Sequence, residues 1–115
     1  TLSGSLKSSL REDIEYYKAE AALYNNKAVI AMRIGKNGLA SNFLNKGIDI
    51  ARVHGNIYVL IALMQNQAKN FFDMGYEGKG DMMRSAYQSM ARTVPEEENG
   101  MLLQETKEGT VLYVF

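Results

Sequence analysis

The stretch that decides the fold is ALYNNKAVIAMRIGKNGLA, residues 22–40. It contains the small and apolar residues of a tightly packed helix, yet two asparagines stand side by side in its middle. Asn25 and Asn26 weaken a helix because their side-chain amides compete for backbone hydrogen bonds. Gly35 suits the positive φ with which many helices end. The pattern predicts a helix that is followed by a tight reversal at Gly35. Helix propensity does not explain the two asparagines at its centre, so we expect them to have another role.

The same pattern returns later in the chain. When residue 22 is aligned with residue 62, an offset of 40, five of fourteen positions are identical. The identical pairs are Ala22 and Ala62, Leu23 and Leu63, Asn26 and Asn66, Ala28 and Ala68, and Gly35 and Gly75. The helices that follow keep a common hydrophobic register if three extra residues are allowed in the second turn. Internal repetition at this period predicts two equivalent helix pairs that stack side by side.

Apolar residues at steps of three and four predict four helices. We expect these helices at about residues 9–35, 39–55, 56–75 and 81–94. Ser9 and Glu12 form a capping box at the first start, whereas Asn56 and Asp81 are expected caps for the third and fourth helices. A glycine-rich turn is expected at 76–80. The predicted fold class is mainly α, with two antiparallel helix hairpins and a short C-terminal β-hairpin.

The last segment, MLLQETKEGTVLYVF at residues 101–115, changes to the alternating period of strands. Two β-type runs flank a turn at 107–109, which predicts a β-hairpin. Because an isolated two-stranded hairpin is marginally stable in water, it must pack on the helices, pair with another chain or begin a further domain. The apolar run 111–115 offers an edge to a second copy, so a homodimer through the hairpin is a hypothesis.

The expected organisation has four parts. They are a flexible N-terminus or cloning remnant at 1–8, a helical repeat domain at 9–95, an acidic linker at 96–100 and the β-hairpin at 101–115. The run of glutamates after Pro95 is interpreted as a solvated linker, since three adjacent carboxylates cannot all point into one site.

Composition excludes several classes of function. The 115 residues, 46% of them hydrophobic, suffice for one packed domain, and their net charge of zero indicates no nucleic-acid partner. No apolar run approaches the roughly 20 residues that span a bilayer, so we expect a soluble, cytoplasmic chain with no membrane partner. The chain has no cysteine and a single histidine, His54. With no metal-ligand spacing, phosphate loop or nucleophile and base, we expect no metal, no cofactor, no catalytic residue and no enzyme activity.

Taken together, the spaced small residues resemble the tetratricopeptide-repeat (TPR) family, whose unit is a pair of antiparallel helices. The first match runs through Asn26-Lys27-Ala28, Gly35 and Ala40. The second runs through Asn66-Gln67-Ala68, Gly75 and Gly80. Pro95 falls where that family often ends the second helix of its repeat. The resemblance covers about residues 17–95 and implies a TPR-like superhelix with a concave groove.

Three features depart from the family pattern. The period of 40 exceeds the usual 34 and is similar to the longer repeats of bacterial peptide-sensing regulators. Gly80 stands where the family prefers alanine, and Arg52 stands where the counterpart of Pro95 would be. The expected second turn is also long.

In that family the first helix of each repeat faces the groove, and an asparagine at the Asn26 and Asn66 position often binds peptide backbone. An amide side chain can both donate to and accept from a main chain. The residues implied as partner-binding are Asn25, Asn26, Met32, Arg33, Gln65, Asn66, Lys69, Phe72 and Asp73, with Val29 beside them. Alternatively, Asn26 and Asn66 join helix to helix without a ligand. Capture of a terminal carboxylate is not expected, because only Lys69 supplies a basic residue at a comparable position.

The sequence therefore predicts a protein–protein interaction module that binds a peptide or protein segment in a groove of helical repeats, for sensing or scaffolding. The alternative is a structural or regulatory helical domain of a larger protein, with no free ligand-binding role.

Overall fold

The computed structural model describes residues 4–95, 98 and 100–115, with side chains from residue 12 onward. The described residues form four helices and a two-stranded antiparallel hairpin, which confirms the predicted fold class. The elements are α1 (Gly4–Arg33), α2 (Asn37–Val53), α3 (Ile57–Asp73), α4 (Glu77–Ala91), β1 (Met101–Glu105) and β2 (Thr110–Val114). Helices α1 and α2 form the first helix hairpin, and α3 and α4 form the second. The molecule measures 52 × 28 × 21 Å along its principal axes.

Helix α1 begins at Gly4 and includes Ser9, so the expected helix start at Ser9 is wrong. Residues 4–8 contain no proline that would stop a helix from extending in this direction. Of the expected flexible segment 1–8, residues 1–3 lie outside the described residues. Glu96, Glu97 and Asn99 of the expected acidic linker also lie outside them.

The two turns inside the helix hairpins have the same geometry. Gly35 has φ of 78° and Gly75 has φ of 84°, the left-handed conformation expected of both. In each turn the next residue donates its backbone N–H to a carbonyl five positions back over 2.8 Å, from Lys36 to Ala31 and from Tyr76 to Phe71. The expected reversals at the two glycines are therefore confirmed.

Helix α4 begins at Glu77, so the expected turn at 76–80 and the expected cap at Asp81 are wrong. Once Gly75 has reversed the chain, the carbonyl of Tyr76 accepts from the N–H of Gly80 over 2.9 Å, and the helix is under way. The turn between α3 and α4 is therefore as long as the turn between α1 and α2, and the three extra residues expected in it are absent. The offset of 40 continues through α4, which places Gly78 opposite Gly38 and Gly80 opposite Ala40.

Small residues set the distances between the helices. Ala21, Ala28 and Ala40 are fully buried in the contact between α1 and α2. A Cβ added at Gly47 of α2 would lie 2.6 Å from a methyl carbon of Leu63 in α3, so this glycine allows the second and third helices to approach closely. The two helix hairpins therefore share a core instead of standing apart.

The second interhelical connection follows the prediction in part. Helix α2 is capped at its C-terminus by His54, and Gly55 has φ of 70°. The His54 ring stacks on Tyr17 with centroids 3.6 Å apart. Asn56 occupies the expected N-cap position of α3, but its side chain makes no capping hydrogen bond.

The β-hairpin packs on the helices, the first of the three arrangements that the sequence left open. One face of the hairpin is turned to the core and includes the buried residues Met101, Thr110 and Leu112. The other face exposes Leu102 and Tyr113, which pair across the two strands. Strand β2 lies against α1 and α3, the first helix of each helix hairpin.

Candidate peptide-binding groove

Two buried asparagines meet where α1 and α3 pass each other. Nδ2 of Asn66 donates to Oδ1 of Asn25 over 2.6 Å, and both side chains are at least 98% buried. Asn66 stands 40 positions after Asn26, the neighbour of Asn25, on an equivalent helix. Nδ2 of Asn25 also donates to Oδ1 of Asn26 over 3.2 Å. The three amides form one continuous polar strip across the two helices.

This strip binds the backbone of β2 at two residues. Oδ1 of Asn66 accepts from the N–H of Thr110 over 2.8 Å, and Nδ2 of Asn66 donates to the carbonyl of Thr110 over 2.8 Å. Asn26 does the same to Leu112, accepting over 2.9 Å and donating over 2.7 Å. Asn25 adds a second donor to the Thr110 carbonyl over 2.9 Å. Each repeat thus contributes one asparagine that pairs with both backbone groups of one residue.

The geometry is that of a β-ladder in which side-chain amides replace a strand. Alternate residues of a strand direct their backbone groups to opposite edges. Gly109 and Phe115 bond to Thr106 and Gly100, on the side of β1. Thr110 and Leu112 therefore present their N–H and C=O groups to the opposite edge, where the asparagines lie. Such contacts are hydrogen bonds to the main chain, so they do not depend on which side chains the strand carries.

Residue 109 is a glycine because its surroundings leave no room for a side chain. A Cβ at this position would lie 2.8 Å from Oδ1 of Asn66 and 3.3 Å from Cγ2 of Val29. Its φ lies outside the left-handed region, so the requirement for glycine here is steric and not conformational. The sequence indicated Gly109 only as a turn residue, and its contact with the asparagine strip was missed.

Several other predicted residues lie beside the hairpin. Val29 contacts the site at Gly109, and Nε of Arg33 lies 3.6 Å from Oε2 of Glu108 in the hairpin turn. Gln65 lines an apolar cavity of about 220 Å³ next to β1. The remaining lining residues come from α3, the end of α4 and β1: Tyr58, Ile61, Ala91, Val94, Pro95 and Leu103.

Met32 and Phe72 lie away from the asparagine strip. Met32 is 92% buried in the helical core, and the Phe72 ring packs against Gly80 and Arg84 of α4. Six residues correspond to one and two-thirds helical turns, so each side chain is rotated by about 120° from the asparagine of its repeat.

Lys69 and Asp73 form an ion pair with each other. Nζ of Lys69 lies 3.6 Å from Oδ2 of Asp73, and both side chains are about half exposed. Neither makes a contact with the hairpin that the structure records. Among the nine predicted partner-binding residues, the structure brings Asn25, Asn26 and Asn66 together on β2, and it places Arg33 and Gln65 at the hairpin's margins.

Sequence reasoning missed three buried polar residues. Asn70 exchanges hydrogen bonds with Asn37, and Nε2 of Gln67 donates to Oδ1 of Asn45 over 2.9 Å, so both residues join α3 to α2. Lys18 is 94% buried, and its Nζ lies 3.5 Å from Oε2 of Glu98 before the hairpin. Asn70 makes the helix-to-helix bond that was the alternative for Asn66, whereas Asn66 bonds both to a helix and to β2. The available signal was that Asn70 follows Asn66 by four positions and Gln67 by three, a spacing that groups polar residues on one side of a helix.

The asparagine strip makes its hydrogen bonds to the backbone of β2. Among the described residues, no group of three or more His, Asp or Glu side chains is arranged to hold a metal ion. None of the described helices combines the length and apolar character needed to cross a membrane. No family model, curated protein or solved structure matches this chain.

Proposed function

We propose that the chain is a protein–protein interaction module of TPR-like repeats whose groove binds an extended strand by its backbone. The paired hydrogen bonds of Asn26 and Asn66 to residues two positions apart carry this proposal. In this arrangement β2 is an internal occupant of the groove, and an external segment takes its place when the hairpin leaves. The equal turns at Gly35 and Gly75 and the constant offset of 40 support the assignment to a repeat family.

The internal occupant indicates what an external strand would look like. Backbone pairing tolerates many side chains, but two positions are restricted by their surroundings. The position of Gly109 has no room for a Cβ, and Leu112 is 98% buried against the core. We expect a partner strand with glycine one residue before the residue held by Asn66 and an apolar side chain at the residue held by Asn26.

An external strand competes with a tethered one. A segment linked to its site has an effective concentration in the millimolar range, so a free peptide is at a disadvantage while the hairpin is seated. The hairpin therefore lowers the apparent affinity of the groove. Any change that releases the hairpin from the groove leaves the groove free to bind another strand.

The test uses the full chain with a single change in the hairpin. Gly109→Val introduces a clash with Asn66 and Val29 but leaves every groove residue intact. A fluorescent peptide of residues 106–115 is titrated against the variant and the unmodified chain, and anisotropy reports binding. We expect the peptide to bind the variant at least about tenfold more tightly, because the tethered competitor is weakened.

Two controls identify the site. The peptide with its own Gly109→Val change should not bind, because the clash then belongs to the ligand. Adding Asn26→Ala and Asn66→Ala to the variant should abolish binding while helical circular dichroism is retained. A helical Gly109→Val chain that ignores the unmodified peptide would contradict the proposal.

The alternative function is a structural or regulatory domain in which the hairpin permanently fills the groove. The buried bond between Asn25 and Asn66 favours it, since part of the strip also serves to join the helices. In that case the amides of Thr110 and Leu112 exchange hydrogen only when the whole domain unfolds. The interaction module predicts faster exchange there, by local release of the hairpin.

Dimerisation through the hairpin stays a prediction. The outer edge of β2 is already bonded to Asn26 and Asn66 at Leu112 and Thr110, so a second copy cannot pair with these two residues while the hairpin is seated. Pairing through β2 would first require release from the groove.

A further inference from the structure

An exposed apolar stripe runs along α1 on the side opposite α3. Tyr16, Leu23, Ile30 and Ile34 are 63%, 53%, 56% and 62% exposed. They alternate along the helix with Glu20 and Lys27 at steps of four and three. Residues with this spacing form one narrow seam about 27 Å long, of the kind that packs against another helix.

The equivalent face of α3 is covered by a helix. At the offset of 40, Leu23 and Ile30 correspond to Leu63 and Asn70. Leu63 packs at Gly47 and Asn70 bonds to Asn37, both in α2. This surface of the repeat unit is thus one that receives a helix in the same molecule, and on α1 it is open.

The stripe is self-complementary. Glu20 and Lys27 lie on either side of Leu23, three positions before it and four positions after it. If two α1 helices cross antiparallel with Leu23 facing Leu23, Glu20 of each copy lies within one residue, about 1.5 Å along the axis, of the level of Lys27 of the other, so the two side chains can pair. A twofold contact requires this kind of symmetry, in which one surface serves both partners.

A pocket on the same face fits this register. Between α1 and α2 lies a shallow apolar cavity of about 180 Å³. Its lining residues are Lys27, Ile30, Ala31, Ile34, Leu39 and Phe43. The antiparallel register places Tyr16 of the second copy opposite Ile30, where its ring can enter the cavity. Buried aromatic anchors of this kind dominate many interfaces.

From these four observations we propose that the α1 stripe is a homodimer interface, formed by antiparallel packing of α1 against α1 of a second copy. A head-to-tail stack through α4 is a poorer fit. In α2, Asn37 and Ser41 face α3. The equivalent residues of α4 are Glu77 and Asp81, and two carboxylates do not complement an apolar stripe. The proposal is independent of what occupies the groove.

The test is a charge exchange in the full chain, read by sedimentation equilibrium. The unmodified chain should show twice the 12.9 kDa mass of one copy. Glu20→Lys and Lys27→Glu should each weaken the dimer, because like charges then meet in both symmetric contacts. The double exchange should restore it, since opposite charges again face each other. Tyr16→Ala should weaken it by about tenfold or more through loss of the anchor.

Two controls exclude indirect effects. Asp49→Lys makes the same change of charge at an exposed position on α2 and should leave the dimer intact. Lys27→Glu also removes contacts of the ammonium group with Tyr24 and Phe43, so unchanged thermal unfolding of all variants is required. A monomer at submillimolar concentration would overturn the proposal. A dimer that survives both single exchanges but is broken by Leu102→Glu in the hairpin would also overturn it.

Discussion

The side-chain amide of Asn66 bonds to that of Asn25 over 2.6 Å and so joins the first helix of one helix hairpin to the first helix of the other. The same Nδ2 atom donates to the carbonyl of Thr110, which brings the C-terminal hairpin into the contact. Both N–H groups of this amide are therefore used. We infer that loss of the Asn66 amide destabilises both the contact between α1 and α3 and the packing of the hairpin, since it leaves polar atoms of Asn25 and Thr110 buried without this partner.

The role of Asn66 as both donor and acceptor predicts a large effect for Asn66→Asp. The substitution keeps the shape, but it replaces the donor with a carboxylate oxygen that faces the oxygens of Asn25 and Thr110. Urea unfolding should show a loss of about 2–4 kcal/mol in the free energy of unfolding, from lost hydrogen bonds and a buried charge. Asn42→Asp, at an exposed position on α2, is the matched control and should change it by less than about 0.5 kcal/mol.

Gly109→Ala should release the hairpin selectively. The added Cβ would lie 2.8 Å from Oδ1 of Asn66, so either the strand or the amide must shift. Hydrogen exchange should become faster at the amides of Thr110 and Leu112, while exchange in α2 stays unchanged. Gly78→Ala meets open space within α4 and should instead stabilise the chain by about 0.5–1 kcal/mol. Unchanged exchange at both hairpin amides would contradict the steric role of Gly109.

The ion pair between Arg33 and Glu108 should contribute little. Its 3.6 Å separation is long, and the Arg33 side chain is 51% exposed. Arg33→Gln should therefore lower the free energy of unfolding by no more than about 0.5 kcal/mol, an amount that salt should reduce further. A loss as large as that from Asn66→Asp would show that charge, and not the amide strip, holds the hairpin.

Much of the fold was predictable because its signals are local. The recurrence of Ala28 and Ala68 and of Gly35 and Gly75 predicted the helix hairpins, since close helix contacts and left-handed turns restrict residue type. The start of α4 was mispredicted because Gly78 and Gly80 have the composition of a turn. Position 80 lacks a side chain for a tertiary reason, the space that the Phe72 ring occupies, and no local pattern reveals that contact.

The groove shows the same division between local and tertiary information. The asparagines were identified from their repetition, and amide chemistry indicated that they bind a main chain. Which main chain lies there depends on the path from the end of α4 to β1, which no local sequence pattern specifies. Met32 and Phe72 lie away from the asparagines of their repeats because a helix presents only one face to a bound strand.

The contact between Phe72 and Gly80 gives the last prediction, a double-mutant cycle. A Cβ at Gly80 would lie 2.8 Å from the Phe72 ring, whereas the first repeat has Met32 and Ala40 at the same two positions. Gly80→Ala gains helix propensity of up to about 1 kcal/mol but overpacks the contact by about 1–3 kcal/mol, so a net loss of stability is expected. Phe72→Met should lower stability too, by leaving space beside Gly80.

Combining the two changes rebuilds the pair of the first repeat. The loss in the free energy of unfolding of the double variant should therefore be about 1 kcal/mol smaller than the sum of the two single losses. The comparison cycle pairs Phe72→Met with Gly78→Ala, which has open space around it and should add independently within about 0.5 kcal/mol. Denaturant unfolding of the six chains measures both cycles. The Phe72 ring is near Gly80 but not near Gly78, so only the first cycle should show coupling. Equal coupling in both cycles would mean that the Phe72 ring is not the reason for glycine at position 80.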